Sequence, residues 1–419
     1  MQHARNVLLA AAYGAIAVGC ATFKPATPMP ENAPDPAWAA IDSLVAIGQY
    51  ATALTATDSL LDTARSTADW RTEFRAWMYK GRLMPYTGTD AKDVLAAMEA
   101  RAAQAGTPLA PLLHSVIAEQ WWTYYQGQRW RVLERTPLAE PTDDPEAWDQ
   151  ATFMQQVIHA YTASLQPPDS LARIPVGELG PLLEPAHADT LLRPTLFDVL
   201  AHRALEVFSN SETRLTEPAW RFQLDDPHLF APAAEFAAAD LAHRDSTAWH
   251  WQAVQLYQRL TQLHLTDARP DALTTLTLER LAFARQHSTL PNKDSLYVQA
   301  LDTLAATLPM GEARSAVRLA RAQWHAEQAH QYQRLAPDSA WKWERKSAAD
   351  ICRAIAAQPG QPFATKKAAA LLAQLTLPAL EMQVEEAVMP ELPFKIALTY
   401  ANLGRVWLRV VQDDDRATG

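Results

Sequence analysis

Phe394-Lys395-Ile396-Ala397-Leu398-Thr399-Tyr400 decides how the chain is read, because here the large apolar residues fall on every second position. Alternation of that kind marks a half-buried β-strand. Val406, Leu408 and Val410 repeat the spacing, and Asn402 to Gly404 between them supply turn chemistry. The pattern predicts a hairpin of 394–400 with 406–410, closed at 402–404. After it, Asp413-Asp414-Asp415-Arg416 is too polar and charged to extend a buried strand. A lone two-stranded hairpin is marginal in water, since one of its faces has nothing to pack on. The expectation is that it either docks on the preceding segments or opens a β domain whose sister strands lie beyond Gly419.

Working outward from about Leu380 towards the N-terminus, nearly every segment carries a helical period. Trp38, Ile41, Leu44, Val45 and Ile47 form one apolar face, Gly48-Gln49-Tyr50 breaks it, and Ala53, Leu54, Leu60, Leu61 and Ala64 form the next. With its Gly-x-Tyr-x-x-Ala-Leu junction this pair resembles a tetratricopeptide unit. A second junction of the form Gly-x-x-Trp is read at Gly127 to Trp130, closing a helix that carries Leu112, Leu113, Val116, Trp121, Trp122, Tyr124 and Tyr125. Further helical runs fall at about 146–165, 195–209, 246–265, 271–287, 293–307, 312–332, 340–358 and 363–376. Their spacing is irregular. Two stretches interrupt them: a loop at 134–146, and a longer one at 209–235. The second holds Trp220, Phe222, Leu224 and Phe230, with Phe236 just beyond it, and its aromatic content predicts packing on the helices. The fold class expected is all-α: an irregular TPR-like helical solenoid over 37–378, followed by a short C-terminal β-hairpin from an incomplete β-sandwich domain at 379–419.

Composition agrees with a helical array. Hydrophobic residues make up 48% of the 419, whereas 13 glycines leave few positions for phosphate-cradling loops, which weighs against a nucleotide-binding α/β enzyme. Many of the 29 prolines sit where helical runs start or stop, as at Pro108, Pro194, Pro232 and Pro362. A net charge of -10 with no concentrated basic surface excludes nucleic acid as the expected partner.

The N-terminus points to an address. His3 and Arg5 precede an apolar run from Val7 to Val18 that ends in Ala17-Val18-Gly19-Cys20. A short apolar stretch closing on small residues before a cysteine reads as a bacterial lipoprotein signal over 1–19, with Cys20 as the lipidated residue. The membrane is then a partner through the lipid anchor, and residues 20–36, with Pro25, Pro28, Pro30 and Pro34, read as a tether. Ala21 in place of an aspartate favours the outer membrane. The other cysteine, Cys352, lies beside Ile351, Ile355 and Ala356 on an apolar helix face and reads as a buried structural thiol.

Candidate chemistry is sparse. Fourteen tryptophans invite a sugar-stacking reading, above all Trp121-Trp122 and the pair Trp249 and Trp251, but helical spacing from Trp121 to Tyr125 and from Trp249 to Ala253 favours core packing. Asp198 with His202 and Asp240 with His243 each stand at same-face helical spacing, like half a metal site, with no second half in view. His325-Ala-Glu327-Gln-Ala-His330 lacks the i, i+4 histidine spacing of a zinc-protease helix. No nucleophile elbow, Walker loop or dinucleotide fingerprint occurs. Glu381, Glu385 and Glu386 read as solvent-facing charges on an edge segment. No catalytic, cofactor-binding or metal residue is assigned, and the chain is not expected to be an enzyme.

Four segments, WWTYYQGQRWRVLERT (121–136), RPTLFDVLAHRALEVF (193–208), LDDPHLFAPAAEF (224–236) and PNKDSLYVQALDTLA (291–305), resemble the N-terminal helical region of bacterial lipoproteins of the α2-macroglobulin family. The stretch VEEAVMPELPFKIALTYANLGRVWLRVV (384–411) looks like the opening of their first macroglobulin-type β-sandwich. The resemblance implies a cell-envelope protein whose β domains inhibit or trap endopeptidases, in some members through a Cys-x-Glu-Gln thioester. Neither cysteine here is followed by Glu-Gln, since Cys20 precedes Ala-Thr-Phe and Cys352 precedes Arg-Ala-Ile. No thioester is therefore assigned, and Cys20 is the only functional residue carried over. The reading implied is a non-catalytic scaffold truncated at the start of the first β domain, meeting proteases only through domains outside this chain. The alternative is a stand-alone helical outer-membrane lipoprotein binding a glycan or peptide in a tryptophan-lined groove.

Overall fold

The computed structural model describes residues 35–88, 90–136, 142, 144–182, 190–210, 223–241, 248–333, 341–358, 362–385 and 393–409. Cys20, the signal segment and most of the tether lie outside the described residues. Those described are mostly helical, with fifteen α-helices and a single two-stranded antiparallel sheet among them. They belong to two compact units, 1–291 and 292–419.

The first unit contains α1 (Pro36–Ala46), α2 (Tyr50–Thr67), α3 (Trp70–Leu83), α4 (Ala91–Ala102), α5 (Leu109–Leu133), α6 (Gln150–Ser164), α7 (Pro168–Leu171), α8 (Leu196–Phe208), α9 (Ala233–Ala238), α10 (Trp249–His264) and α11 (Asp271–His287). Local chemistry sets their starts. The side chains of Asp35, Asp69, Asp90 and Asp149 accept first-turn N–H groups of α1, α3, α4 and α6, satisfying donors that would otherwise be orphaned. Gly48, at φ +77°, makes the turn between α1 and α2 as the sequence predicts. Successive helices pack on one another, α2 on α3 and α5 on α6 most extensively.

An aromatic seam fills the middle of this unit. Trp121 packs at 4.8 Å, tilted, against Trp148, Trp122 does the same at 5.0 Å against Trp249, and Trp249 meets Phe208 at 6.0 Å, joining α5, α8 and α10. Burying each such ring contributes on the order of 2–3 kcal/mol.

The helix expected to close at Gly127–Trp130 does not close there; α5 continues to Leu133. Tyr125 and Val132, two turns apart, are both buried, so the packing face continues past the exposed Gly127. That burial offsets the roughly 1 kcal/mol that a glycine costs inside a helix. The described part of the interruption, 223–235, packs on the helices: Leu224, Leu229 and Phe230 are buried, as is Phe236 in α9. Arg280 of α11 donates to the Leu229 and Ala231 carbonyls at 2.8 and 2.7 Å and lies 4.2 Å from the centroid of the Phe236 ring. Trp220 and Phe222 lie outside the described residues.

The second unit contains α12 (Lys293–Thr307), α13 (Glu312–Gln328), α14 (Glu344–Ala356), α15 (Pro362–Thr376), β1 (Ala379–Val384) and β2 (Ile396–Ala401). Cys352 is buried, as its neighbours predict, in a cluster with Leu319, Ala322, Ile355, Ala364 and Ala368. Burial pushes its thiol pKa up, with Arg353 opposing. The hairpin differs from the one expected. β2 does pair, but with β1 upstream, in the register Leu380↔Tyr400, Met382↔Leu398 and Val384↔Ile396; residues 405–409 join no ladder. Asn402, at φ +55°, donates its side-chain amide to the carbonyls of Leu375 and Leu377, both at 2.9 Å, at the exit of α15. The residue read as a hairpin turn is therefore committed to the helix end, and the strand that matches the alternation of β2 is Leu380-x-Met382-x-Val384.

Candidate functional site

The densest polar cluster with candidate chemistry centres on α8, which is buried at nearly every position. Thr195 and Asp198 form a capping box: Asp198 N donates to Thr195 Oγ1 at 3.3 Å, while Thr195 N and Oγ1 donate to Asp198 Oδ2 at 2.9 and 2.7 Å. The other carboxylate oxygen of Asp198 accepts from His264 Nε2 at 2.7 Å, and His264 Nδ1 donates to Asp267 Oδ2 at 2.7 Å. Burial opposes the charged ring, but the hydrogen bonds and charges of Asp198 and Asp267 outweigh it and raise the His264 pKa above the ordinary histidine value.

One turn along α8, His202 sets Nδ1 2.7 Å from the Asp198 carbonyl and Nε2 3.2 Å from Glu279 Oε2 of α11. Arg193 approaches Glu279 Oε1 at 3.8 Å. Burial opposes ionisation of Glu279, yet His202 and Arg193 together hold its carboxyl below the usual range. The next residue, Arg203, turns to α5 and donates to Ser115 Oγ and Glu119 Oε2, each at 2.8 Å. Asp198, His202 and Arg203 therefore each fasten α8 to a different helix.

The chemistry of this cluster is limited by its own completeness. A general base or a metal ligand needs a lone pair free to face a substrate or ion. Both ring nitrogens of His264 donate to carboxylates, and both nitrogens of His202 face acceptors. Among the described residues no group of three or more His, Cys, Asp or Glu side chains is arranged to hold a metal ion. The predicted Asp198–His202 pair does share a face, but the histidine takes the backbone carbonyl and not the carboxylate. Asp240 is described while His243 lies outside, so that pair is not assessed. His325 bonds Glu344, joining α13 to α14.

Trp121, Trp122 and Trp249 are core residues, with Trp38, Trp77 and Trp148, whereas Trp130, Trp343 and Trp407 are exposed and Trp70, Trp251, Trp324 and Trp341 are half-buried. Sequence reading missed a second buried cluster: Glu73 of α3 accepts two hydrogen bonds from Arg101 at 2.6 and 2.9 Å and one from Arg65 at 3.3 Å. Burial works against its charge, and the two guanidiniums overcome it, lowering the carboxyl pKa.

The hairpin offers the other candidate surface. In its register, Leu380, Met382, Val384, Ile396, Leu398 and Tyr400 share one face, and Glu381, Gln383 and Thr399 lie on the other. Leu380, Met382 and Tyr400 are half or more exposed on the apolar side. Glu381 and Glu385 are exposed, in line with their solvent-facing reading, and Glu386 lies outside the described residues. No helix among the described residues is long and apolar enough to cross a membrane. Comparison with protein-family models, with characterised proteins and with solved structures found no match.

Proposed function

We propose that the chain is the non-catalytic N-terminal scaffold of a membrane-anchored α2-macroglobulin-like protein, whose β domains inhibit or trap endopeptidases. The observation that carries this reading is the uncovered apolar face of the β1–β2 hairpin. Six large apolar residues stand in register on a sheet of only two strands. Such a sheet is unstable unless further structure covers that face, and a β-sandwich built on β1 and β2 would do so. The helical part is an irregular TPR-like solenoid, a reading supported by the pairwise packing of successive helices and by the turn at Gly48. Its buried charges serve packing, which suits a spacer. Lipidation of Cys20 would tether it to the outer membrane.

The coding sequence beyond codon 419 tests the proposal: in-frame macroglobulin-type strands are expected, and their absence would sink it. Incorporation of labelled fatty acid that is lost in Cys20→Ser tests the anchor separately. The full-length product should then protect large substrates from a bound endopeptidase.

A further inference from the structure

Among the described residues, Trp343 and Trp407 are 63% and 81% exposed, and a cation lies against each ring: Lys342 Nζ 5.1 Å from the first and Arg405 Cζ 5.4 Å from the second. They are far apart in sequence, but the segments that carry them are both fastened to the C-terminal end of α15. Arg345, two residues after Trp343, donates Nε and Nη2 to the Leu375 carbonyl at 3.0 and 2.8 Å, and Asn402 donates to the same oxygen at 2.9 Å. Leu377 at this end, and Leu408 beside Trp407, are also largely exposed.

Among the described residues the charge here is positive. Residues 393–409 hold Lys395, Arg405 and Arg409 and no carboxylate, in a protein of net charge -10. The acidic side chains nearest Trp343 in α14 are already engaged: Glu344 with His325, and Asp350 with Lys346 and Arg353.

We propose that this end of the second unit, Trp343, Leu377, Trp407 and Leu408 with Lys342, Arg405 and Arg409, seats on the anionic headgroup layer of a lipid bilayer. Indole rings with an apolar body and a polar N–H partition to that layer, and lysines and arginines beside them are drawn to its negative surface potential. Nucleic acid would supply the negative charge but nothing in which to bury Leu377 and Leu408. The patch lies outside the β1–β2 ladder, so it does not compete with strands covering the hairpin's apolar face. Nor does it depend on lipidation or on the macroglobulin reading.

The test is flotation of the full chain in a Cys20→Ser background, which removes the lipid. Vesicles of phosphatidylcholine alone are compared with vesicles containing phosphatidylglycerol. Residues 1–19 are present in every sample, so only differences between variants are read. The expected result is binding about tenfold stronger to the anionic vesicles, weakening as salt rises. Trp343→Ser with Trp407→Ser, and separately Lys342→Gln with Arg405→Gln and Arg409→Gln, should each lower it about fivefold or more. Tyr86→Ser, an exposed aromatic of the first unit, should change nothing. Equal binding to both vesicle types, or patch variants that float as well as the parent, would overturn the proposal. All the substituted side chains are exposed, and unchanged thermal midpoints check that the variants remain folded.

Discussion

His264 Nε2 lies 2.7 Å from Asp198 Oδ1 with both side chains buried, so a single charge-assisted hydrogen bond ties the end of α10 to the first turn of α8. Removing the Asp198 carboxylate leaves the buried imidazolium with Asp267 alone, at a cost of about 2 kcal/mol. Asp198→Asn should therefore destabilise the first unit by that amount, seen by circular dichroism as a lower urea midpoint at an unchanged m-value. A stability within about 0.5 kcal/mol of the parent would mean that the capping box alone accounts for Asp198.

The same contact sets a pH dependence. The folded pKa of His264 is raised above 6.5 by burial being outweighed by Asp198 and Asp267. Its contribution is therefore complete below the unfolded value and is lost as pH rises through the folded one. Stability should fall on the alkaline side, and His264→Gln should flatten that limb. Glu73 acts in the opposite sense: its folded pKa lies below 4.5, so its contribution is present above that value and is lost as pH falls through the folded pKa. Thermal midpoints from about pH 2 to about pH 9 should show Glu73→Gln flattening only the acid limb.

What the sequence made legible follows from the range of each interaction. The period that marks 271–287 and 293–307 as helices depends on neighbours three and four apart, and α11 and α12 occupy those bounds. The capping box of Thr195 and Asp198 is equally local, both halves lying within one turn, although the pattern noticed in the sequence is the Asp198–His202 pair. His264 is 66 positions from Asp198, and no local pattern joins them. The hairpin was misread for a related reason. Alternation identifies a strand but not its partner, and the turn chemistry of Asn402 is satisfied by α15 instead of by a neighbouring strand. α3 carries Trp70, Phe74 and Trp77 at helical spacing, but nothing local announces that Glu73 beside them is buried by Arg65 and Arg101.

Burial also separates ion pairs that look alike on paper. Glu73 is buried under two guanidiniums, while Arg71 and Glu178, 3.2 Å apart, are both exposed. Glu73→Ala should cost about 2–3 kcal/mol, because three charge-assisted hydrogen bonds to a buried carboxylate are lost while both arginines keep some contact with solvent. Arg71→Ala should cost about 0.5 kcal/mol or less, because solvent screens the pair. Chemical denaturation of the two variants side by side checks the contrast, and equal losses would contradict the burial argument.

Asn402 holds the hairpin to the helices through two hydrogen bonds and a left-handed backbone, and the two roles can be separated. Asn402→Gly keeps the left-handed conformation and loses the amide; Asn402→Ala loses both. Each hydrogen bond to the Leu375 and Leu377 carbonyls contributes about 1 kcal/mol, so loss of the amide should speed amide exchange between Thr376 and Val384 by about tenfold or more. Asn402→Ala should add roughly a further 1 kcal/mol of backbone strain and exchange faster still. Arg345→Lys, which gives up the two-pronged grip on the Leu375 carbonyl, should loosen the end of α15 while leaving the β1–β2 pairing less affected. If Asn402→Gly exchanges like the parent, Arg345 alone fixes the joint, and the left-handed turn at Asn402 serves only to end β2.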